Sequence, residues 1–311
     1  MTLMTPRRLM LLDSASLYFR AFYGVPEREA PDGTPNNALR GFTDMIATLV
    51  STYEPTDLVA CWDNDWRPAF RVEAIPSYKS HRVLEGTDGS EESPEKLTPQ
   101  VPLIREMLEL VGITRLGVDG YEADDVIGTL THRFTGQGPV DVVTGDRDLF
   151  QLVDDAMSVR VLYTAKGGVR APDLVDESFL MTKYGVPGGR AYADLAVMRG
   201  DTSDGLPGVA GIGEKTAAGL LAEFGTLAAI RGAVANGDPR IKGARRTRLE
   251  AAHDYLDVAP KVVDVALDVE VPGDLVTALP DGVAQPDRFA DFAARYDLGG
   301  SAERLSAALT R

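Results

Sequence analysis

Three continuous apolar runs, each closing on an aspartate, constrain this chain more than any other feature. They are Arg8-Leu-Met-Leu-Leu-Asp13, Asp57-Leu-Val-Ala-Cys-Trp-Asp63 and Val140-Asp-Val-Val-Thr-Gly-Asp146. Unbroken apolar runs of this length suit parallel strands covered on both faces. Helical patterns at about 37–53, 99–111 and 123–134 lie between them. Strands alternating with helices imply a three-layer α/β domain with a mostly parallel sheet. In such sheets ligands bind beyond the carboxyl ends of the strands, where Asp13, Asp63 and Asp146 would all sit.

Six further acids join these three in short clusters: Glu122, Asp124 and Asp125, then Asp148, then Asp201 and Asp204. Gly120-Tyr-Glu-Ala-Asp-Asp125 opens a helix, and acids in a first turn are favoured by the helix dipole. Three acids in four residues exceed what capping needs, and Glu122 and Asp125 share a face at i,i+3. Thr144-Gly-Asp-Arg-Asp148 and Gly200-Asp-Thr-Ser-Asp-Gly205 are acid-rich turns. Carboxylates gathered in this way repel one another unless cations lie between them. Hard divalent ions, and with them phosphate chemistry, are the simplest reading.

The net charge of −15 speaks against a nucleic-acid partner only on its face. The nine acids carry −9 of it, leaving −6 for the rest. Positive charge is local: Arg67, Arg71, Lys79 and Arg82 in one stretch, and Arg240, Lys242, Arg245, Arg246 and Arg248 in another. Local patches decide phosphate contacts. The single cysteine, Cys61, excludes an intrachain disulfide and reads as a core residue. His81, His132 and His253 have no Cys or His neighbour at zinc spacing. No stretch approaches a membrane span, and Met1–Arg8 is too short for a secretory signal, so no membrane partner and a cytoplasmic location are expected.

The segment Glu85–Glu95 holds five acids, two glycines and no base, and reads as a flexible, partly disordered acidic loop. From Val186 onward strand signals fade. Helical patterns follow near 189–199, 214–224, 226–235 and 243–256, and the tail is broken by Pro260, Pro272, Pro280 and Pro286. Gly208-Val-Ala-Gly-Ile-Gly-Glu-Lys-Thr-Ala217 is a glycine-rich turn leading into a helix, where free N–H groups can meet a phosphate. It lacks the P-loop spacing and follows no strand, so a nucleotide-binding loop is disfavoured. Its glycine and apolar spacing matches the helix-hairpin-helix signature for a DNA backbone phosphate.

Together these residues resemble the bacterial 5′ nucleases, comprising flap endonucleases and the 5′→3′ exonuclease domain of DNA polymerase I, in a stand-alone form. The resemblance rests on Leu12-Asp13 with Arg20, Trp62-Asp63 with Phe70-Arg71, and Tyr78-Lys79-Ser-His-Arg82. It extends through the three acid motifs and the turn, over about residues 7–235. It implies a PIN-like domain at 1–185 with a helical arch at about 78–112. A helix-three-turn-helix DNA-binding region and tail would follow at 186–311. It implies two Mg2+ or Mn2+ ions, with a third left open, and room for K+ at the turn. Asp13, Asp63, Glu122 and Asp124 would favour one ion. Asp146, Asp148, Asp201 and Asp204 would favour the other, with Asp125 supporting.

By the same resemblance, Lys79 and Arg20 would hold the scissile phosphate. Arg71, Arg82, Gly208, Val209, Gly211, Ile212, Gly213, Lys215 and Thr216 would bind DNA. The implied substrates are DNA with 5′ flaps, nicks or ends, with RNA–DNA hybrid left open. Primer removal and repair beside a DNA polymerase and a ligase, at the nucleoid, would be the setting. Core packing is the preferred reading of Phe22 and Tyr23. Two departures stand out: the acidic insert after Arg82, and Gly205 where relatives often carry Asn, a change expected to alter only the turn. The competing readings are a non-catalytic flap-binding protein, which should lack second-metal acids, and a PIN-type endoribonuclease, which should be shorter and lack the 208–213 turn.

Overall fold

In this computed structural model, residues 7–87 and 91–310 are described. The first region runs β1 (Leu9–Asp13), α1 (Ser14–Gly24), α2 (Asn37–Tyr53), β2 (Asp57–Cys61), α3 (Ala69–Ala74), α4 (Gln100–Val111), β3 (Thr114–Leu116), α5 (Ala123–Phe134), β4 (Val140–Thr144), β5 (Val159–Tyr163) and β6 (Asp173–Val175). The sheet order is β3-β2-β1-β4-β5-β6. The first five strands are parallel and β6 is antiparallel. This is the expected α/β sheet, with three strands more than the apolar runs indicated: β3 beside β2, and β5 and β6 beyond β4. Cys61 lies buried in β2 as read.

Alternation along β1 explains the layers. Leu9 and Leu11 point into a core shared with Val126, Ile127 and Leu130 of α5. Met10 and Leu12 point into a second core with Leu39, Phe42 and Ile46 of α2 and Ile104 and Met107 of α4. Side chains one apart on a strand face opposite sides of a sheet, so a run that is apolar throughout needs a cover on each. The strands β2 and β4 stop at Cys61 and Thr144, so Asp63 and Asp146 lie two residues past the strand ends.

The second region is helical: α6 (Glu177–Tyr184), α7 (Gly189–Arg199), α8 (Glu214–Phe224), α9 (Leu227–Ala235), α10 (Ala244–Ala251), α11 (His253–Val258) and α12 (Pro260–Val263). The helix expected at 243–256 divides at Ala252 into α10 and α11. The two regions share one core: Leu195, Val197 and Met198 of α7 join the cluster under α5. Segment 262–269 crosses α5, with the Ala266 amide donating to Asp125 Oδ1 at 2.8 Å and the Val269 amide to Thr129 Oγ1 at 3.1 Å.

The tail departs from its expected place with the second region. Helices α13 (Pro286–Arg295) and α14 (Gly300–Leu309) return to the first region. There Phe289, Phe292, Leu305 and Leu309 complete the core over α2 and α4. Prolines that look like breaks in the sequence include Pro286 at the start of α13, where a missing N–H and a preset φ suit a helix.

Candidate metal centre and nucleic-acid interface

Most of the carboxylates at the sheet's carboxyl edge are held by local hydrogen bonds. Asp13 caps α1: its Oδ1 accepts from the Ser16 amide at 3.2 Å, and its Oδ2 from Thr144 Oγ1 at 2.6 Å. Asp63 Oδ1 accepts from the Ala123 amide at 2.8 Å, which ties the end of β2 to the start of α5. Glu122 is the N-cap of α5, and Asp124 lies in its first turn. Asp146 Oδ1 accepts from the Asp148 amide at 2.9 Å, and Asp201 Oδ1 from the Ser203 amide at 2.8 Å.

These elements enclose a cavity of about 520 Å³. Asp13, Asp63, Glu122, Asp124, Asp146 and Asp201 line it, as do Lys79 and Arg82. Asp148 and Asp204 are not among the lining residues but are close enough to act electrostatically on one another. Residues brought together here thus come from positions 13 to 204.

The charge balance of the site follows from burial and crowding. Burial pushes Asp13 up to about 7, against the lowering by its Thr144 hydrogen bond and with Asp63 adding repulsion. Burial, then Asp13 and Asp146, raise Asp124 well above the carboxylate range. Burial with Asp146 does the same for Asp148. Asp63 and Asp204 are raised by burial too, Asp204 in spite of Lys79 and Arg82. Burial works against Asp201, but its Ser203 hydrogen bonds bring it below the ordinary value. Protein cations offset part of the charge: Lys79 Nζ pairs with Glu122 Oε1, and Arg82 Nη2 with Asp204 Oδ1 at 2.7 Å. Burial would depress Lys79, yet Glu122, Tyr78 and Asp204 outweigh it and hold the ammonium form.

The donor set fits hard divalent cations. It is all oxygen, partly buried and under mutual repulsion, the condition a bound cation relieves. Among the described residues, no three of these acids bring oxygens all within 4.8 Å of one another, whereas the exposed His253, Asp254 and Asp257 do. A wide carboxylate wall suits ions that keep waters and share phosphate oxygens, as Mg2+ does, more than one closed protein cage.

Two expectations are corrected here. Arg71, expected to bind DNA, is 2% exposed. Its Nη1 and Nη2 reach Asp125 Oδ2 and Oδ1 at 2.7 Å each, its Nη1 also reaches Glu122 Oε2 at 2.6 Å, and its Nε donates to the Val262 carbonyl at 3.0 Å. Asp125, expected to support a metal, is for the same reason turned away from the cavity. Arg71 and the Ala266 amide take its oxygens, and Oδ2 closes a capping box on Glu122. Its part in the site is to fix Arg71 against Glu122.

Arg20, on α1, is not among the residues lining the cavity. Tyr23 is 74% exposed, so core packing is not its role.

Lys79 reaches the wall because its loop is docked on the acid turn 201–205. The Lys79 amide donates to the Asp204 carbonyl at 2.9 Å, and Ser77 Oγ to the Gly205 carbonyl at 2.8 Å. Gly205 has φ +73°, and a Cβ there would lie 2.1 Å from the Ser77 carbonyl oxygen. The glycine therefore governs loop docking as well as the turn, beyond the local change expected of it.

The turn at 208–213 is anchored by Val209 and Ile212, each 2% exposed, so these side chains face the core and leave contact to the backbone. Gly208 has φ +65°, and a Cβ there would lie 2.4 Å from the Arg199 carbonyl oxygen. Gly213 caps α8, and Lys215 is exposed in that helix's first turn. The basic stretch beside it splits. Arg246 is spent on the carbonyls of Val234 and Ile241, and Arg240 pairs with Asp238. Arg248 stays exposed and donates to the Gly211 carbonyl at 3.0 Å.

Sequence reasoning missed Thr144 and Ser16 as supports of Asp13, although Ser16 stands three residues after it, the N-cap spacing. It also missed Glu91, which lines the cavity from the acidic insert. The disorder expected of that insert falls partly on residues 88–90, which lie outside the described residues.

Residues 8–185 match the family described as 5′-3′ exonuclease, N-terminal resolvase-like domain, and residues 188–285 match 5′-3′ exonuclease, C-terminal SAM fold. A 5′-3′ exonuclease of Streptomyces coelicolor is 60% identical over 306 residues, covering 97% of this chain and 100% of its own. One from Mycobacterium tuberculosis is 48% identical over 311 residues, covering 97% of each. Among solved structures, the bacteriophage T5 D15 flap endonuclease, in a pseudo-enzyme–product complex with DNA and metal ions, superposes with a TM-score of 0.64. It shares 19% identity and covers 98% of this chain and 100% of its own, a likeness of fold.

Proposed function

The chain belongs to the 5′–3′ exonuclease family, and we propose that it is a divalent-metal-dependent nuclease that hydrolyses phosphodiesters at 5′ flaps and 5′ ends of duplex DNA. One observation carries the reading: seven carboxylates, Glu91 among them, line a single cavity at the carboxyl edge of the sheet together with Lys79 and Arg82. Acids alone would hold metal, and bases alone would hold phosphate. Their meeting in one cavity suits a phosphate bridged to metal.

Asp13, Asp63, Glu122 and Asp124 would hold one Mg2+ or Mn2+, and Asp146, Asp148, Asp201 and Asp204 a second. Ions bound there would lower the pKa of a water and neutralise charge on the attacking and leaving oxygens. The protein's own groups do the rest. Lys79, kept protonated by Glu122 and Asp204, moves from Glu122 to a non-bridging phosphate oxygen and stabilises the charge that grows on it. Arg82 stands ready on the same side. The backbone of Gly208–Gly213, with Lys215 and Thr216, grips a duplex phosphate away from the cut and sets its distance from the cavity. K+ at this turn would tighten duplex binding relative to Na+.

Among the described residues no single helix is long and apolar enough to cross a membrane. A cytoplasmic setting at the nucleoid, on DNA or RNA–DNA ends left for a polymerase and a ligase, accords with the proposal. A 5′-labelled flap duplex incubated with the protein and Mg2+, against EDTA and a blunt duplex, tests it. Release of short 5′ products from the flap, abolished by EDTA, is expected. Cleavage that continues in EDTA would overturn the proposal.

A further inference from the structure

One residue of the acidic insert, Glu91, reaches the reaction cavity. Glu91 lines it together with Asp63, Lys79, Arg82 and Glu122. Glu91 and Glu92 pair back onto the chain entering the insert: Val83 and Glu91 form an antiparallel bridge, and the Glu92 amide donates to the Arg82 carbonyl at 2.9 Å. Glu91 is thus placed by its backbone.

Its carboxylate makes no hydrogen bond or ion pair with any described residue. The other described acids of the insert, Glu85, Glu92 and Glu95, are exposed to solvent, and Glu91 alone is half-buried. Its charge is felt by both kinds of neighbour. Burial raises it above the usual carboxylate range, Arg82 and Lys79 attract it, and Asp63 and Glu122 repel it.

A carboxylate and a phosphodiester oxygen compete for the same partners, since Lys and Arg recognise either as a compact anion. A strand phosphate that comes to Lys79 and Arg82 must enter the field of Glu91 or push it aside. We propose that Glu91 is a specificity-determining residue, an internal anion beside the phosphate seat that discriminates against single strands lacking an adjoining duplex.

The inference rests on the nuclease reading above. A strand tethered to a duplex held at 208–216 stays bound through the duplex whether or not its phosphate is seated, so one opposing carboxylate costs that complex little. A free single strand has no such tether and bears the full effect. The fixed backbone explains why Glu91, and not the exposed acids beside it, would act.

The test is binding, read by fluorescence anisotropy with Ca2+ in place of Mg2+ and with gels confirming intact strands. Glu91→Gln is expected to tighten binding of a 5′-labelled single-stranded oligonucleotide about fivefold, which is about 1 kcal/mol. Binding of a 5′-flap duplex should change less than about twofold, because duplex contacts dominate it. Glu91→Lys should move single-strand binding further the same way. Glu92→Gln, on the exposed neighbour, should match wild type. Unchanged or weakened single-strand binding in Glu91→Gln, or equal tightening of both substrates, would overturn the inference. Wild-type protein that binds neither substrate would instead sink the nuclease reading itself.

Discussion

Two basic residues eight positions apart, Arg71 and Lys79, read alike in the sequence and do opposite work. Arg71 is locked under the site by Glu122 and Asp125, while Lys79 shares only Glu122 and opens onto the cavity. Lys79→Ala is expected to lower the single-turnover cleavage rate at least a hundredfold, the range for losing one charge-stabilising donor. Flap-duplex affinity should stay within about threefold. Equal losses in rate and affinity would show Lys79 to be a binding residue only.

Arg71→Ala should act on stability, because it leaves buried Asp125 without its cation and takes one of two cations from Glu122. The expected cost is about 3–5 kcal/mol, read from the urea midpoint at constant m-value. A midpoint shift of less than about a tenth of the wild-type value would refute the structural role. The burial of Arg71 was not legible beforehand. Its partners lie 51 and 54 residues downstream, and a base in a basic stretch reads as exposed.

At the level of elements, what the sequence showed and what it hid divide by physical cause. The strand ends of β1, β2 and β4 were legible because a run buried on both faces needs no partner to be recognised. The turn at 208–213 was legible because its glycines and buried apolar pair follow a fixed spacing. Helices α13 and α14 were not, since their apolar faces make sense only against α2 and α4, more than 170 residues earlier. Docking of the Lys79 loop was hidden for the same reason: it depends on Ser77 meeting Gly205. The turn's proposed grip belongs to this scale as well. Lys215→Ala is expected to weaken flap and plain duplex alike. It should also reduce by about one the slope of log affinity against log salt, as one lost phosphate contact does. A variant with an unaltered slope would place Lys215 off the duplex.

For the molecule as a whole, the net charge of −15 is concentrated where it costs most. Mutually repelling, partly buried acids oppose folding unless protons or cations accompany them. The direction of the pH dependence follows from the shifts. Asp13 in the folded protein binds its proton up to about 7, against an ordinary value of 3.8. Asp63, Asp124, Asp148 and Asp204 are shifted the same way. Between the ordinary carboxylate value and about pH 7, the folded state therefore holds more protons than the unfolded state. The stability these groups contribute is complete at acid pH and is lost as pH rises through that window. Asp57 and Asp201, shifted downward, act in the opposite sense, but only below the ordinary carboxylate value.

Protein stripped of metal with EDTA should accordingly melt at a lower temperature at pH 8 than at pH 5.5. Excess Mg2+ should raise the Tm more at pH 8 than at pH 5.5, since a cation that binds only the folded protein stabilises it by mass action and at low pH must displace protons. A metal-free Tm that rises steadily from pH 5.5 to 8 would show that the acids are not crowded together in solution, and with them the cavity's proposed role as a metal centre would fall.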